Sequence, residues 1–290
     1  MACVLAVDIG GTKMAAAVVD RDGTLTGRAS VPTTGADGDG LFAALIALLD
    51  EVRAAAREAI VACGVGCGGP MTPGGERVSP LNIAQWRGFP LRDRLAAHLR
   101  LPVFIDNDAK ALTLGEGWIG AARGERNYLG MVVSTGVGGG VVVDGRLLDG
   151  ASTNAGHIGH VIVEPGGRRC ECGARGCLEA EASGSAIRAI TGAPAELAPA
   201  AMRERAGTLI GRAVGSAVSL LDLRLVVVAG SVALGYGELF FAAAQRELDA
   251  VCQLEFARGA CIRPAGSGDR APLVGAAAVA WRGLGHHVLQ

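Results

Sequence analysis

Short apolar runs that end in glycine or a carboxylate recur along this chain. Residues 4–7 end in Asp8-Ile9-Gly10-Gly11-Thr12-Lys13, and residues 14–19 end at Asp20-Arg21-Asp22-Gly23. Asp-Gly is a turn signal between strands, so both runs read as strands. Residues 60–65 read as a strand entering Gly66-Cys67-Gly68-Gly69-Pro70, and 102–105 as one ending at Asp106-Asn107-Asp108. Helical spacing predicts helices over 41–57, 91–99 and 109–117. After residue 126 the pattern restarts. A strand over 128–134 leads to Thr135-Gly136-Val137-Gly138-Gly139-Gly140, then a strand over 141–143 and a turn at Asp144-Gly145. Helices are predicted over 182–190, 200–221 and 272–281, and a buried strand over 225–229 ends in Gly230-Ser231. Strands alternating with helices predict an α/β class with mostly parallel pairing. The restart predicts two related halves with a cleft between them. The expected domains are 1–119, small and N-terminal, and 120–271, larger and carrying the loop with Cys170, Cys172 and Cys177, with 272–290 packing back on the first.

Composition narrows the classes. Half the residues are hydrophobic and 19% are charged, which excludes a disordered chain. Glycine is in excess at 45 residues without a G-X-Y period, so collagen is excluded and tight or ligand-approaching loops are expected. The net charge of −1 offers no basic surface for nucleic acid. Glycines break every long uncharged stretch, so no membrane span is expected. The N-terminus lacks the basic region of a signal peptide, so a cytoplasmic location is expected. Only Lys13 and Lys110 are lysines, and each lies near one of the aspartates considered next.

Asp8-x-Gly-Gly-Thr-Lys between two strands suits an anion held by backbone N–H groups, with Thr12 and Lys13 adding a hydroxyl and a charge, and Asp8 placed for Mg²⁺. A plain hairpin explains it equally well on its own. The second glycine loop, over 134–140, favours a nucleotide triphosphate held by both. His160, Cys170, Cys172 and Cys177 form a Cys₃His set suited to a closed, structural Zn²⁺ site. Cys3, Cys63, Cys67, Cys252 and Cys261 read as small hydrophobes. Asp108, between a strand and a helix, is either a general base for phosphoryl transfer or a helix N-cap.

Together these segments resemble the ROK sugar kinases. The resemblance runs from Asp8–Lys13 through Ser79-Pro80-Leu81-Asn82, Asn107-Asp108-Ala109, the loop at 134–140 and Asn154-Ala155-Gly156-His157-Ile158-Gly159-His160. It continues through Cys170-x-Cys172-Gly173-x-x-Gly176-Cys177-Leu178-Glu179, Gly230-Ser231 and Leu273-x-Gly275. It implies a two-domain actin-like ATPase (ribonuclease H-like) fold. It also implies transfer of the ATP γ-phosphoryl group to the 6-hydroxyl of a hexose or N-acetylhexosamine, with Mg²⁺ and a structural Zn²⁺, in a homodimer. On this resemblance Asp108 is the catalytic base. Asp8, Gly10, Gly11, Thr12, Lys13, Thr135, Gly136, Gly138, Gly230 and Ser231 bind ATP. Asn82, Asn107, Asp108, His157, His160 and Glu179 contact the sugar, and His160, Cys170, Cys172 and Cys177 hold zinc.

Two positions depart from the common pattern. His157 stands where many members carry Glu, and there it resembles bacterial N-acetylmannosamine kinases. An imidazole can donate to an acetamido oxygen, whereas a carboxylate only accepts. Asn82-x-x-x-Trp86 looks instead like glucokinases. Lys110 stands where many members have Asn and either depresses the Asp108 carboxyl or points away along the helix. Some relatives are repressors with a DNA-binding segment before the first glycine loop. Seven residues precede Asp8 here, so a repressor is not expected. A non-catalytic sugar sensor is the remaining alternative of another class.

Overall fold

A computed structural model describes residues 2–289, which form two compact units. The first comprises Met1–Gly124, Leu148–Ala155 and Gly266–Gln290, and the second Glu125–Leu147 and Gly156–Ala265.

The first unit holds strands β1 (Ala2–Ile9), β2 (Lys13–Val19) and β3 (Leu25–Pro32), then helix α1 (Gly38–Ala55) and β4 (Ala59–Cys67). Helix α2 (Leu91–Leu99), β5 (Val103–Asn107) and α3 (Asp108–Trp118) follow. Its sheet runs β3-β2-β1-β4-β5. The pairs β1–β2 and β2–β3 are antiparallel, while β1–β4 and β4–β5 are parallel. Residues 3–7 of β1 are all buried, because helices cover both faces of the sheet. One side is lined by Leu41, Leu45, Leu48 and Leu49 of α1, whose start is capped by Asp37 Oδ1 accepting the Gly40 N–H at 2.7 Å. The final helix, which returns to this unit after the second, packs on β1, β4, β5 and α3.

The second unit holds β6 (Tyr128–Val133), β7 (Val137–Val143) and β8 (Arg146–Leu147), then α4 (Leu178–Ala182), α5 (Gly184–Thr191) and α6 (Ala200–Leu221). Next come β9 (Leu225–Ala229), α7 (Ser231–Tyr236), α8 (Glu238–Val251) and β10 (Cys261–Pro264), and the returning helix is α9 (Ala271–Gly283). Read from β8, the sheet runs β8-β7-β6-β9-β10. Its pairs repeat the senses of the first sheet: antiparallel, antiparallel, parallel, parallel.

Both sheets are therefore mixed, and the expectation of mostly parallel pairing is corrected. Each half opens with an antiparallel meander before the parallel crossovers begin. Helix α6 carries Gly207, Gly211 and Gly215 along the face it turns to α8. A methyl group on them would come within 2.3 Å of the Phe240 carbonyl, 2.3 Å of the Ala244 carbonyl and 2.2 Å of Val251 Cγ2. Glycine costs a helix about 1 kcal/mol relative to alanine. Here it permits two backbones to touch. Among the described residues no helix is long and apolar enough to cross a membrane.

Candidate functional site

In the first unit, the predicted residues gather where β1, β4 and β5 end. Parallel register sets Asp8 beside Gly66 and Gly66 beside Asp106, with Cys67 beside Ile9 and Asn107 in the next row. Gly66 separates the two key carboxylates: a methyl there would lie 3.7 Å from Asp108 Cα and 3.9 Å from Asp8 Oδ1. Burial, then the Asp108 charge, push the Asp8 carboxyl up to about 7, while Lys13 pulls the other way.

The hairpin after Asp8 closes through the Gly10 N–H, which donates to the Lys13 carbonyl at 3.0 Å. That N–H is engaged in closing the turn. Gly11, Thr12 and Lys13 are exposed at the tip. Asn82 packs against the same tip, its Cβ 2.8 Å from where a Gly11 methyl would sit. Trp86 is fully buried, and its indole N–H donates to the Gly38 carbonyl at 3.0 Å. Its role is to hold the Asn82 loop against the core.

The helix cap belongs to Asn107. Its Oδ1 accepts the N–H groups of Ala109 at 3.0 Å and Lys110 at 3.4 Å. Asp108 is the first helical residue and accepts the Ala109 N–H at 2.9 Å. The side chain of Lys110 turns away from Asp108 to Asp106 and Asp149, at 3.1 and 2.9 Å.

In the second unit, the predicted residues gather at the start of β7. The loop there is only Ser134–Thr135–Gly136, because Gly138, Gly139 and Gly140 are strand residues paired with Val132, Met131 and Gly130. The reading of a loop over 134–140, with Gly138 in it, is corrected. Gly139 keeps its face of the sheet bare where residues 156–158 lie on it: a methyl there would meet Ile158 Cγ2 at 3.0 Å and the Gly156 carbonyl at 3.1 Å. Glu179 Oε2 accepts the Val137 N–H at 2.9 Å, which brings α4 to the loop. Ser134 and Ser231 hydroxyls meet at 3.0 Å. Gly230, at φ 102°, makes the turn from β9 into α7, where a side chain would strike the Val133 carbonyl at 2.2 Å. His157 is exposed, and its ring stacks on that of His160 at 6.1 Å between centroids.

The Cys₃His set comes together. The ligand atoms of His160, Cys170, Cys172 and Cys177 lie within 4.8 Å of one another. Two of the edges are short, His160 Nδ1 to Cys170 Sγ at 3.6 Å and Cys172 Sγ to Cys177 Sγ at 3.7 Å. Tetrahedral thiolates at about 2.3 Å from zinc sit about 3.8 Å apart, so the donors fit that ion. The Gly173 N–H bonds to the Cys170 carbonyl at 2.9 Å, which closes the turn between thiols. Glu181, which the sequence reading passed over, is buried and fastens this loop. Its Oε1 accepts the Arg168 N–H at 2.6 Å and its Oε2 pairs with Arg205 at 2.7 Å. No local pattern marks such a residue, because both partners come from other segments. Cys3, Cys63, Cys67 and Cys252 are buried as expected, and Cys261 is half-buried.

Two α/β units with one strand order, each carrying a glycine turn after its first strand, define the class to which the chain is compared. It matches the ROK family over residues 4–282. It is 39% identical over 189 residues to a glucokinase of Thermotoga maritima, covering 64% of this chain and 58% of that one, so less than two thirds of that relative is spanned. It is 37% identical over 253 residues to the N-acetylmannosamine kinase of Yersinia pseudotuberculosis, covering 81% of this chain and 85% of that one. A ROK family glucokinase from Streptomyces griseus, solved with glucose and AMPPNP, superposes with a TM-score of 0.84 at 28% identity, covering 97% and 99% of the two chains. The chain belongs to the ROK family, and its fold is the actin-like ATPase fold of those kinases.

Proposed function

We propose that this chain is an ATP-dependent sugar kinase that phosphorylates the 6-hydroxyl of a hexose or N-acetylhexosamine, with N-acetylmannosamine favoured. The observation that carries the reading is the pair of carboxylates at the strand ends, Asp8 and Asp108, across the side-chain-free Gly66. Asp108 takes the proton of the attacking hydroxyl. The cap uses Asn107 Oδ1 and not its Nδ2 group, which serves a sugar oxygen as donor. Thr12, Lys13, Thr135, Gly136 and Ser231 bind the nucleotide. Asp8 holds Mg²⁺, which when bound neutralises triphosphate charge. That charge would also answer the cost of ionising Asp8. His160 and the three cysteines hold a structural Zn²⁺, which fixes the His160 ring so that its other edge serves the sugar. The protein acts in the cytoplasm as a homodimer, with Asn82, His157 and Glu179 completing the sugar contacts.

The choice of sugar rests on His157, which is exposed and able to donate to an acetamido oxygen. Glucose is the second reading, favoured by the 39% identity to the Thermotoga glucokinase. The glucokinase-like Trp86 adds little to it, since that side chain is buried in the core.

ADP release measured over a panel of plain and N-acetylated hexoses tests the proposal, with N-acetylmannosamine expected to give the highest kcat/KM. Asp108→Asn is expected to lose about 10²–10⁴-fold in kcat while keeping sugar affinity. Sugar binding without turnover of any hexose would leave a sensor and sink the kinase reading.

A further inference from the structure

Lys110 carries a buried charge, its side chain only 1% exposed. Its ammonium has three donors, and three acceptors surround it. Asp149 Oδ1 lies at 2.9 Å, Asp106 Oδ1 at 3.1 Å and the Thr153 carbonyl at 3.2 Å. These acceptors come from two separate places. Asp106 precedes the cap residue Asn107 and also accepts the Asn107 N–H at 2.8 Å. Asp149 and Thr153 belong to Leu148–Ala155, a strap that lies in the first unit although the chain on either side of it lies in the second.

The strap is a closed loop, with the Ala155 N–H bonded to the Asp149 carbonyl at 3.0 Å. Thr153 sits at φ 63°, a left-handed conformation that a β-branched residue adopts only when its surroundings hold it there. The carbonyl of that strained residue is the one Lys110 grips. Asn154 comes next, its amide donating to the Met71 carbonyl at 3.2 Å, and His157 follows three residues later.

We propose that Lys110 is a positioning residue for the sugar, tying the strap that leads into His157 to the start of α3, which carries Asn107 and Asp108. The inference rests on the kinase reading above. Charge balance alone does not explain the arrangement. Arg282 reaches Asp149 Oδ2 at 3.2 Å and Asp106 Oδ2 at 4.0 Å, so two cations face two carboxylates, but the Thr153 carbonyl that Lys110 also holds has no charge to balance. Burying an ammonium is costly, and a tether gives that cost a use. Because Nζ is taken up by these three acceptors, Lys110 acts on the sugar through the strap and touches no substrate.

The test combines initial rates with hydrogen exchange of the strap. Lys110→Met is expected to raise the sugar KM about tenfold while the ATP KM stays within about twofold. Amides of residues 150–157 should exchange faster, with the rest of the first unit unchanged. A Lys110→Met/Asp106→Asn double variant removes the buried carboxylate that loses its close cation but does not restore the tether, so its sugar KM is expected to stay high. Recovery of the wild-type KM in the double variant would reduce Lys110 to a counter-ion and overturn the proposal. So would a sugar KM within about twofold of wild type in folded Lys110→Met, or an equal rise in the ATP KM. If Lys110→Met does not fold, Asp149→Asn, at a half-exposed position, takes its place with the same two readouts and a smaller rise expected. A wild-type chain that turns over no hexose refutes the kinase reading. The tether is then judged by exchange alone, where an unaltered strap in the variant counts against it.

Discussion

Asp8→Asn should make the ligand-free protein more stable at pH 8 while ending its phosphotransfer. The side chain keeps its shape and loses a charge that the fold accommodates poorly. Burial and the neighbouring Asp108 raise the Asp8 carboxyl from 3.8 to about 7. That is a shift of about three pH units, each worth about 1.4 kcal/mol. The native state therefore pays up to about 4 kcal/mol to ionise Asp8 above pH 7, a ceiling because the side chain is partly accessible. The sign follows from proton binding. Between about pH 4 and pH 7 the native chain holds a proton that the unfolded chain has lost, so wild-type stability falls as the pH rises through this window. Below pH 4 both states are protonated and the cost vanishes. Urea unfolding at pH 4, 5.5, 7 and 8, without Mg²⁺ or nucleotide, measures the difference between wild type and Asp8→Asn. The gain should grow steadily across the series. MgATP should then stabilise the wild type and leave the variant unmoved. A gain that is the same at pH 4 and pH 8, or no gain at pH 8, would refute the reasoning.

Three further outcomes are expected. His157→Glu should shift the kcat/KM ratio of N-acetylmannosamine to glucose towards glucose by about tenfold, and an unchanged ratio removes His157 as the selector. Wild-type protein should hold about one zinc per chain by metal analysis, and Cys177→Ser should lose it and unfold at a lower temperature. Gly211→Ala, although better for an isolated helix by about 1 kcal/mol, should destabilise the protein by about 1–3 kcal/mol in denaturant because its methyl meets the Ala244 carbonyl. A more stable variant would show that α6 and α8 are not held together at that seam.

Local chemistry was legible in the sequence where its parts lie close along the chain. The Cys₃His donors come within one segment of the chain, and the glycine turns follow apolar runs, so spacing alone exposes them. The α/β class followed from alternation, but the direction of pairing did not, since a strand's pattern carries no sense of its neighbour. Strand β3 escaped notice because it lies at the sheet edge and reads as half polar. Gly138–Gly140 passed for a loop because glycine signals both a turn and a bare sheet face. The seam glycines of α6 lie outside the loops and gave no sign of their purpose until α8 was set against them. Lys110 was visible as an oddity, but its strap partners lie 39 and 43 residues further on. Charges buried by distant segments leave no periodic trace.

The shared strand order of the two sheets bears on how such a chain arises. A half-length gene, duplicated and joined to itself, accounts for two sheets with one order and one set of senses. Divergence then fell on the connections. After its third strand the first copy passes to α1 within five residues, whereas the second inserts residues 148–177, which hold the strap and the Cys₃His set. After its fourth strand the second copy turns at once into α7, while the first inserts the stretch that carries Asn82. Each copy was free to vary where the other stayed short, so new ligand preferences can evolve in this lineage by exchanging loops while both sheets keep their ancestral plan.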